Sequence, residues 1–379
     1  MAEGCGIMEV KRLLCIVGGM NVGGAETFLM KLYRKIDKSK YQMDFAVAIE
    51  GNGYYDDEIL SMGGKIFHIT PKSKGFFKNF TSIVKLVRKE KYKYVLRVSQ
   101  HSMSALELLA AKLGGAKVCA FRSSNSNTTT GGGKDLKLHK MCKFMPRLFA
   151  NVKIAPSTEA ALHAFGKKHV EKGNVIYLNN GIDVDKYTYN LAKREQLRQE
   201  LGLKEKFVVG HIGRFSYQKN HKFLIEIFEK IIEKKENSHL VCVGVGELQD
   251  EIKSIIKSKG LENNVSFLGT RSDVPNLLSA FDVLLFPSFF EGMPNVVIES
   301  QASGLHCIIS DNITKEANIT GLVEYLSLNK SAEEWAKNCL IYSDEYDRQS
   351  YKDVYDKYGY DITTVVGKFI SAVFEGSRK

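Results

Sequence analysis

Short, nearly continuous apolar runs recur along the chain, each closed by glycine, serine or asparagine and followed by residues with helical apolar spacing. Runs of this length predict strands buried on both faces, as in parallel sheets, because a half-exposed strand would alternate apolar with polar. One series is expected at 12–17, 43–49, 65–69, 94–98 and 117–121, with a further strand ending at Tyr177. The first helix is expected over 25–36. After a turn at Asn179-Asn180-Gly181-Ile182-Asp183 and a charged stretch, a second series opens at 207–213. It continues at 240–243, 265–269, 281–286 and 307–310, with helices expected over 223–232 and 296–303. Strands alternating with helices predict an α/β protein built on doubly wound sheets. At 379 residues the chain exceeds one ordinary core and fits two domains. The first is expected over 1–182 and the second over 183–357, with 358–379 as a terminal helix returning to the first.

The candidate chemistry gathers after the run 281–286. Pro287 and Ser288 end that strand, Gly292 and Pro294 punctuate a tight loop, and a helix follows. A strand, a glycine-bearing loop and a helix start in that order form an anion site, since the first helical amides lack intrahelical partners. Glu291 in the loop and Glu299 on the helix could face one cleft. The pocket would then hold an anion through amides and sugar hydroxyls through carboxylates, which describes a sugar nucleotide. The plainer alternative is a Ser288-x-x-Glu291 capping box beside a solvated Glu299.

Other stretches add to this picture. Arg214 and Lys219 follow the 207–213 run and suit a diphosphate, one as a bidentate fork and one as a point charge. Gly18-Gly19-Met20-Asn21-Val22-Gly23-Gly24 is a glycine-rich turn that lets backbone approach a phosphate. It is not a P-loop, because Ala25-Glu26 stands where Lys-Ser/Thr is needed, and its spacing is not GxGxxG. His101 follows the strand ending near Val98, at an edge where ligands of open α/β folds gather, and Arg122-Ser123-Ser124-Asn125-Ser126-Asn127 occupies the same edge. The residues Gly244-Val245-Gly246 form a lone GxG of low specificity.

Charge divides the chain. Residues 1–190 hold 30 Lys+Arg against 16 Asp+Glu, and the remainder 24 against 27, giving the net +11. A basic half suggests that one domain meets an anionic surface, lipid or nucleic acid. Two segments concentrate the effect. Residues 72–93 mix lysines with Phe76, Phe77, Phe80 and Tyr92. Residues 134–153 place Lys134, Lys137, Lys140, Lys143 and Arg147 among Leu136, Met141, Phe144, Met145, Leu148 and Phe149, the composition of an interfacial amphipathic helix or of a solvated face on its own core. Seven scattered cysteines without CxxC spacing point to a reducing cytosol and away from disulfides or a structural metal. No signal peptide or bilayer-length apolar run is evident.

Taken together, these motifs resemble the family-4 retaining glycosyltransferases over nearly the whole chain. The carrying residues are Gly23-Gly24, Asn180-Gly181-Ile182-Asp183, Gly213-Arg214 with Lys219, Gly244-x-Gly246, Phe286-Pro287-Ser288, and Glu291-Gly292-x-Pro294-Asn295 ending at Glu299. The runs 310–316 and 358–362 look closest to the capsular and exopolysaccharide branch. The resemblance implies the GT-B fold, two Rossmann-like domains facing across a cleft. It also implies that Arg214 and Lys219 hold the donor diphosphate and stabilise the leaving nucleotide in place of a metal. Glu299 would take the ribose hydroxyls and Glu291 those of the transferred sugar. The amides of Met293, Pro294–Asn295 and Val296 would complete the pocket, with Leu268-Gly269 at the base. Gly23-Gly24 would approach the phosphates and His101 the donor sugar. Related polysaccharide enzymes often carry histidines where Arg122 and Ser124 stand here, which bears on the acceptor.

The expected activity is metal-independent, retaining transfer from a nucleotide sugar, with UDP the nucleotide, to a glycan or lipid-linked sugar in cell-surface polysaccharide synthesis. No cofactor is expected. The expected setting is the cytosol, peripheral at the inner face of the cell membrane, with the basic half on anionic lipid. A nucleotide-sugar epimerase or hydrolase on the same fold is the alternative. A nucleic-acid binder is suggested by charge alone and leaves Arg214, Lys219, Glu291 and Glu299 unexplained.

Overall fold

A computed structural model of the chain describes residues 9–21, 23–123, 142–344 and 346–376. The chain divides into two compact units, one of Met1–Gly181 with Ile362–Lys379 and one of Ile182–Asp361. Residues 182 and 358–361 thus fall in the second unit, whereas the sequence placed 182 in the first and 358–361 with the terminal helix. The reason is local. Ile182 and Asp361 form a parallel bridge, the Ile182 amide donates to the Tyr360 carbonyl at 2.9 Å, and the Tyr355 and Tyr360 rings are buried in the second core.

The first unit is a seven-stranded sheet. Its strands are β1 (Lys11–Val17), β2 (Tyr41–Val47), β3 (Ile66–His68), β4 (Tyr94–Ser99), β5 (Val118–Ser123), β6 (Val152–Ala155) and β7 (Ile176–Tyr177), in the order β3-β2-β1-β4-β5-β6-β7. Every pairing is parallel. Side chains alternate across a strand, so both faces of β1 need cover. Leu13, Cys15 and Val17 pack with the Gly24–Lys35 helix and the terminal helix Ile362–Ile370, while Leu14 and Ile16 join the layer containing the Phe76–Lys89 and Leu106–Gly114 helices. Double cover is why the run reads as continuously apolar.

The second unit repeats the plan with β8 (Phe207–Ile212), β9 (Ser238–Val243), β10 (Val265–Phe267), β11 (Val283–Phe286), β12 (Cys307–Ser310) and β13 (Val323–Leu326), ordered β10-β9-β8-β11-β12-β13. All its pairings are parallel too. Val209, Leu240, Cys242, Val283 and Leu285 face the His221–Lys234 helix, and Val208, Val241, Leu284 and Phe286 face the Asn295–Ala302 helix. At Gly210 the Phe281 ring lies against the strand so closely that a Cβ would sit 2.0 Å from it. In each unit the strand order reverses beside the first strand, at β1/β4 and at β8/β11. The carboxyl ends of those strands form the crevice where open α/β sheets take ligands.

One expectation needs correction. The basic 134–153 segment is not helical throughout: Met145–Phe149 forms a helix, whereas Lys153 lies in β6, which pairs with β5 and β7 and buries Ile154 and Ala155. Residues 134–141 and Ser124–Gly133, to which the sequence reading assigned basic and acceptor-side roles, lie outside the described residues, as does Val22. The six described cysteines are all buried free thiols. No helix among the described residues is long and apolar enough to cross a membrane.

Candidate functional site

In the second sheet the expected site residues follow the carboxyl ends of β8, β10 and β11. After β8 the chain turns through Gly213 and exposed Arg214, and Lys219 closes a short 3-10 turn (Tyr217–Lys219) before the His221–Lys234 helix. After β11 come Pro287 to Pro294 and then the Asn295–Ala302 helix. These two loops are stitched together. The Phe289 amide donates to the Gln218 carbonyl and the Gln218 side chain to the Phe290 carbonyl, both at 2.9 Å. Asn220, at φ 54°, donates through Nδ2 to the Pro287 carbonyl at 3.1 Å. Asn312 holds the Phe289 carbonyl at 3.1 Å from the loop after β12.

This stitching brings Lys219 Nζ to 2.6 Å from Glu291 Oε1, with both side chains largely shielded from solvent. The same ammonium lies 4.4 Å from the centre of the Phe286 ring. Glu299 sits one helical turn beyond the loop and is 8% exposed, so it is not a solvated surface carboxylate. The capping box does not form. Ser288 is buried in the loop and its Oγ has no partner among the described residues, while the helix starts seven residues later behind Pro294. That helix has no side-chain cap and no acidic residue in its first turn, so its leading amides face no competing carboxylate of their own helix.

Glycine shapes the neighbouring wall. Gly244, at φ +130°, packs so tightly against the loop after β8 that a Cβ would lie 2.2 Å from the Gly213 carbonyl, and one on Gly246 would lie 2.4 Å from the Phe215 carbonyl. The Gly244 amide donates to the Gly269 carbonyl at 2.8 Å and Leu268 to Cys242 at 3.0 Å. The GxG pair, weak as a motif, therefore seats the loops after β8, β9 and β10 against one another.

Beneath Lys219 lies a feature the sequence reading missed. His211 in β8 and His221 at the helix start are both buried, with ring centres 4.7 Å apart, and His221 stacks on Phe215 at 4.2 Å. His211 Nδ1 is 2.9 Å from the Leu285 carbonyl, and neither nitrogen of His221 has a partner among the described residues. Burial, then the nearby Lys219 charge, pushes His211 down to about 4. Burial, then His211 and Lys219, pushes His221 down to about 2. Both rings are therefore neutral and add no charge beside the Lys219 ammonium. Histidines at a strand interior and at a helix start carry no local signal of this pairing. Gln218 and Asn220 were also missed, although an asparagine just before a helix is a recognisable left-handed position.

In the first unit, Gly23 caps the Gly24–Lys35 helix in extended conformation after β1, and His101 follows β4, the neighbour of β1. Burial raises the pKa of Glu26 in the first turn of that helix. The His101 ring approaches Gln100 at 3.3 Å and its amide donates to Ser99 Oγ at 3.1 Å. Arg122 is buried in β5 with its guanidinium 3.7 Å from the Phe28 ring and a 2.5 Å bond to Asn180. Desolvation lowers it to about 9. It ties β5 to the 179–181 turn, a structural task.

Comparison with known proteins adds to this geometry. Residues 193–354 match the family described as glycosyl transferases group 1. EpsF of Bacillus subtilis (strain 168), provisionally named a glycosyltransferase, is 34% identical over 368 residues, covering 95% of this chain and 96% of that one. The Escherichia coli UDP-Gal:alpha-D-GlcNAc-diphosphoundecaprenol alpha-1,3-galactosyltransferase is 30% identical over 239 residues, 62% of each chain. Among solved structures, Anabaena HepE in complex with UDP-glucose superposes with a TM-score of 0.74 at 19% identity, covering 96% of this chain and all of that one. The fold class is accordingly GT-B, two Rossmann-like α/β domains. On the near-complete match to EpsF and the family match over the second unit, the chain belongs to the group 1 glycosyltransferases.

Proposed function

We propose that the chain is a retaining, metal-independent glycosyltransferase that moves a sugar from a UDP-linked donor to a lipid-linked glycan in cell-surface polysaccharide synthesis. The observation that carries this reading is the Lys219–Glu291 contact at the β8/β11 switch point, beside an uncapped helix start. A donor diphosphate entering there competes with Glu291 for Lys219 and meets Arg214 on the same loop. The carboxylate thus released accepts hydrogen bonds from hydroxyls of the transferred sugar. Each charge exchanges one partner for another, which avoids the several kcal/mol cost of leaving a buried ion alone.

As the bond between the anomeric carbon and the diphosphate oxygen breaks, negative charge gathers on the leaving phosphate. Preorganised cations stabilise that charge more in the transition state than in the ground state. Glu299 receives the ribose hydroxyls, the backbone at Leu268-Gly269 meets the base, and the amides of Met293, Asn295 and Val296 line the sugar and phosphate. Likeness supports the choice of substrates: the Escherichia coli relative is named for UDP-galactose and an undecaprenol diphosphate acceptor, and HepE was solved with UDP-glucose.

The test is incubation with a panel of UDP-sugars and a short-chain polyprenyl-diphosphate-linked sugar, with products read by mass spectrometry and NMR. Expected are an added hexose with the donor's anomeric configuration and a rate unchanged by EDTA. An inverted linkage overturns the retaining course, and loss of activity on chelation overturns metal independence. Epimer or free sugar released without transfer overturns the transferase reading.

A further inference from the structure

We propose that the face of the first unit carrying the Phe76–Lys89 helix docks onto an anionic lipid bilayer, a deepening that rests on the lipid-linked acceptor proposed above. The helix buries Asn79, Ile83 and Val87 against its own domain, and Asn79 donates to the Thr70 carbonyl at 2.6 Å. That face accounts for its folding. It leaves unaccounted the two aromatic rings at its start, Phe76 and Phe77, which are 41% and 80% exposed. They meet edge-on at 5.6 Å, and Phe76 reaches Phe80 at 6.2 Å, forming a coherent aromatic tip.

A lone exposed hydrophobe is ordinary on a soluble protein. Here a second apolar tip stands on the same layer. The short Met145–Phe149 helix and the residue before it expose Leu148 at 66% and Phe144 at 51%. Both helices pack on the Leu106–Gly114 helix and share one core layer, so their outward residues belong to one face of the sheet.

Charge selects the occupant. From Lys72 to Lys89 the chain carries six cations and no carboxylate. Lys72 and Lys74 pair with Glu107 and Glu50, but Lys78 and Lys85 make no ion pair among the described residues. Aromatic tips flanked by lysines match an interfacial surface, in which rings enter the acyl boundary and ammonium groups stay at phosphate level.

The experiment is cosedimentation of the full chain with vesicles of 70:30 phosphatidylcholine and phosphatidylglycerol, and with pure phosphatidylcholine vesicles. The wild type should bind the anionic vesicles preferentially and release in high salt. Phe76→Ser with Phe77→Ser should weaken partitioning by roughly tenfold or more, from the apolar area withdrawn. Lys78→Glu with Lys85→Glu should weaken it by at least about tenfold, from two lost cations. Equal binding by the aromatic variant, or no preference for anionic lipid, overturns the proposal. So does a concentration-dependent dimer that the aromatic variant abolishes, since the tip would then be a protein interface. Transfer to the short-chain acceptor in detergent separates the two readings. It should be unchanged in the aromatic variant, and its absence from the wild type would refute the transferase reading while vesicle binding could still stand.

Discussion

Replacing His221 with phenylalanine should remove about 2 kcal/mol of the acid sensitivity of the second unit. His221 is buried and neutral, stacked on Phe215, with its folded pKa pushed to about 2 by burial and the neighbouring His211 and Lys219. In the unfolded chain a histidine titrates near 6.5. Between 6.5 and the folded value only the unfolded chain binds this proton, so stability is complete above 6.5 and declines as pH falls. From pH 6.5 to 5 the loss is 1.5 pH units at about 1.36 kcal/mol each, or about 2 kcal/mol for this ring. His211, lowered to about 4, adds a similar amount. Because His221 makes no hydrogen bond among the described residues, His221→Phe forfeits none and should leave stability at pH 7.5 nearly unchanged.

The chain supplies its own reporter. Its single tryptophan, Trp335, is fully buried in the second unit and packs edge-on against Phe223 of the helix that His221 begins, at 5.7 Å. Urea unfolding followed by tryptophan fluorescence at pH 7.5 and pH 5 therefore reads this unit alone. The wild type should lose about 2 kcal/mol more than the variant between those conditions. Equal losses would mean that His221 is not held neutral, and the account of the buried histidine pair beside Lys219 would fail.

Lys219→Ala should lower kcat about 10²-fold or more, on the scale of removing one preorganised donor, and turnover within threefold of wild type would remove the diphosphate role. Gly244→Ala forces a side chain into a left-handed conformation and against the Gly213 carbonyl. It should cost about 2 kcal/mol or more in the tryptophan-monitored urea transition, and an unchanged midpoint would contradict the loop packing. Gln301 accepts from the Ile319 and Thr320 amides and donates to the Ala317 and Val297 carbonyls. Gln301→Ala should cost about 3 kcal/mol by stranding those groups, with faster amide exchange at 317–320; protection equal to wild type would show that Gln301 does not hold this loop.

Much of this architecture was legible because doubly covered parallel strands advertise themselves as unbroken apolar runs. The 281–286 run and its glycine-bearing loop led to Glu291, and the strand ending in Gly213 led to Arg214 and Lys219. What escaped lacked such a signature. β6 is four residues long with a lysine in it, and its place in the sheet comes from pairing with β5 and β7, which composition does not register. Asp44 stands mid-strand yet is fully buried, because Arg12, the Tyr92 hydroxyl and the Lys65 amide all converge on it from distant positions. Gln218 and Asn220 act through backbone carbonyls of a loop some 70 residues away, and long-range partners of that kind leave no local spacing to read.

The discontinuity of the first unit sets an order of assembly. Val365, Phe369, Val373 and Phe374 belong to the same buried cluster as Leu13, Phe28 and Phe45, whereas the second unit is one contiguous segment. During translation, the domain begun earliest therefore stays unfinished until residue 374 has left the ribosome, after its successor has had the chance to fold. Loss of those few late residues would strip cover from the amino-terminal sheet rather than from the domain that immediately precedes them, and the exposed face would be a substrate for chaperones.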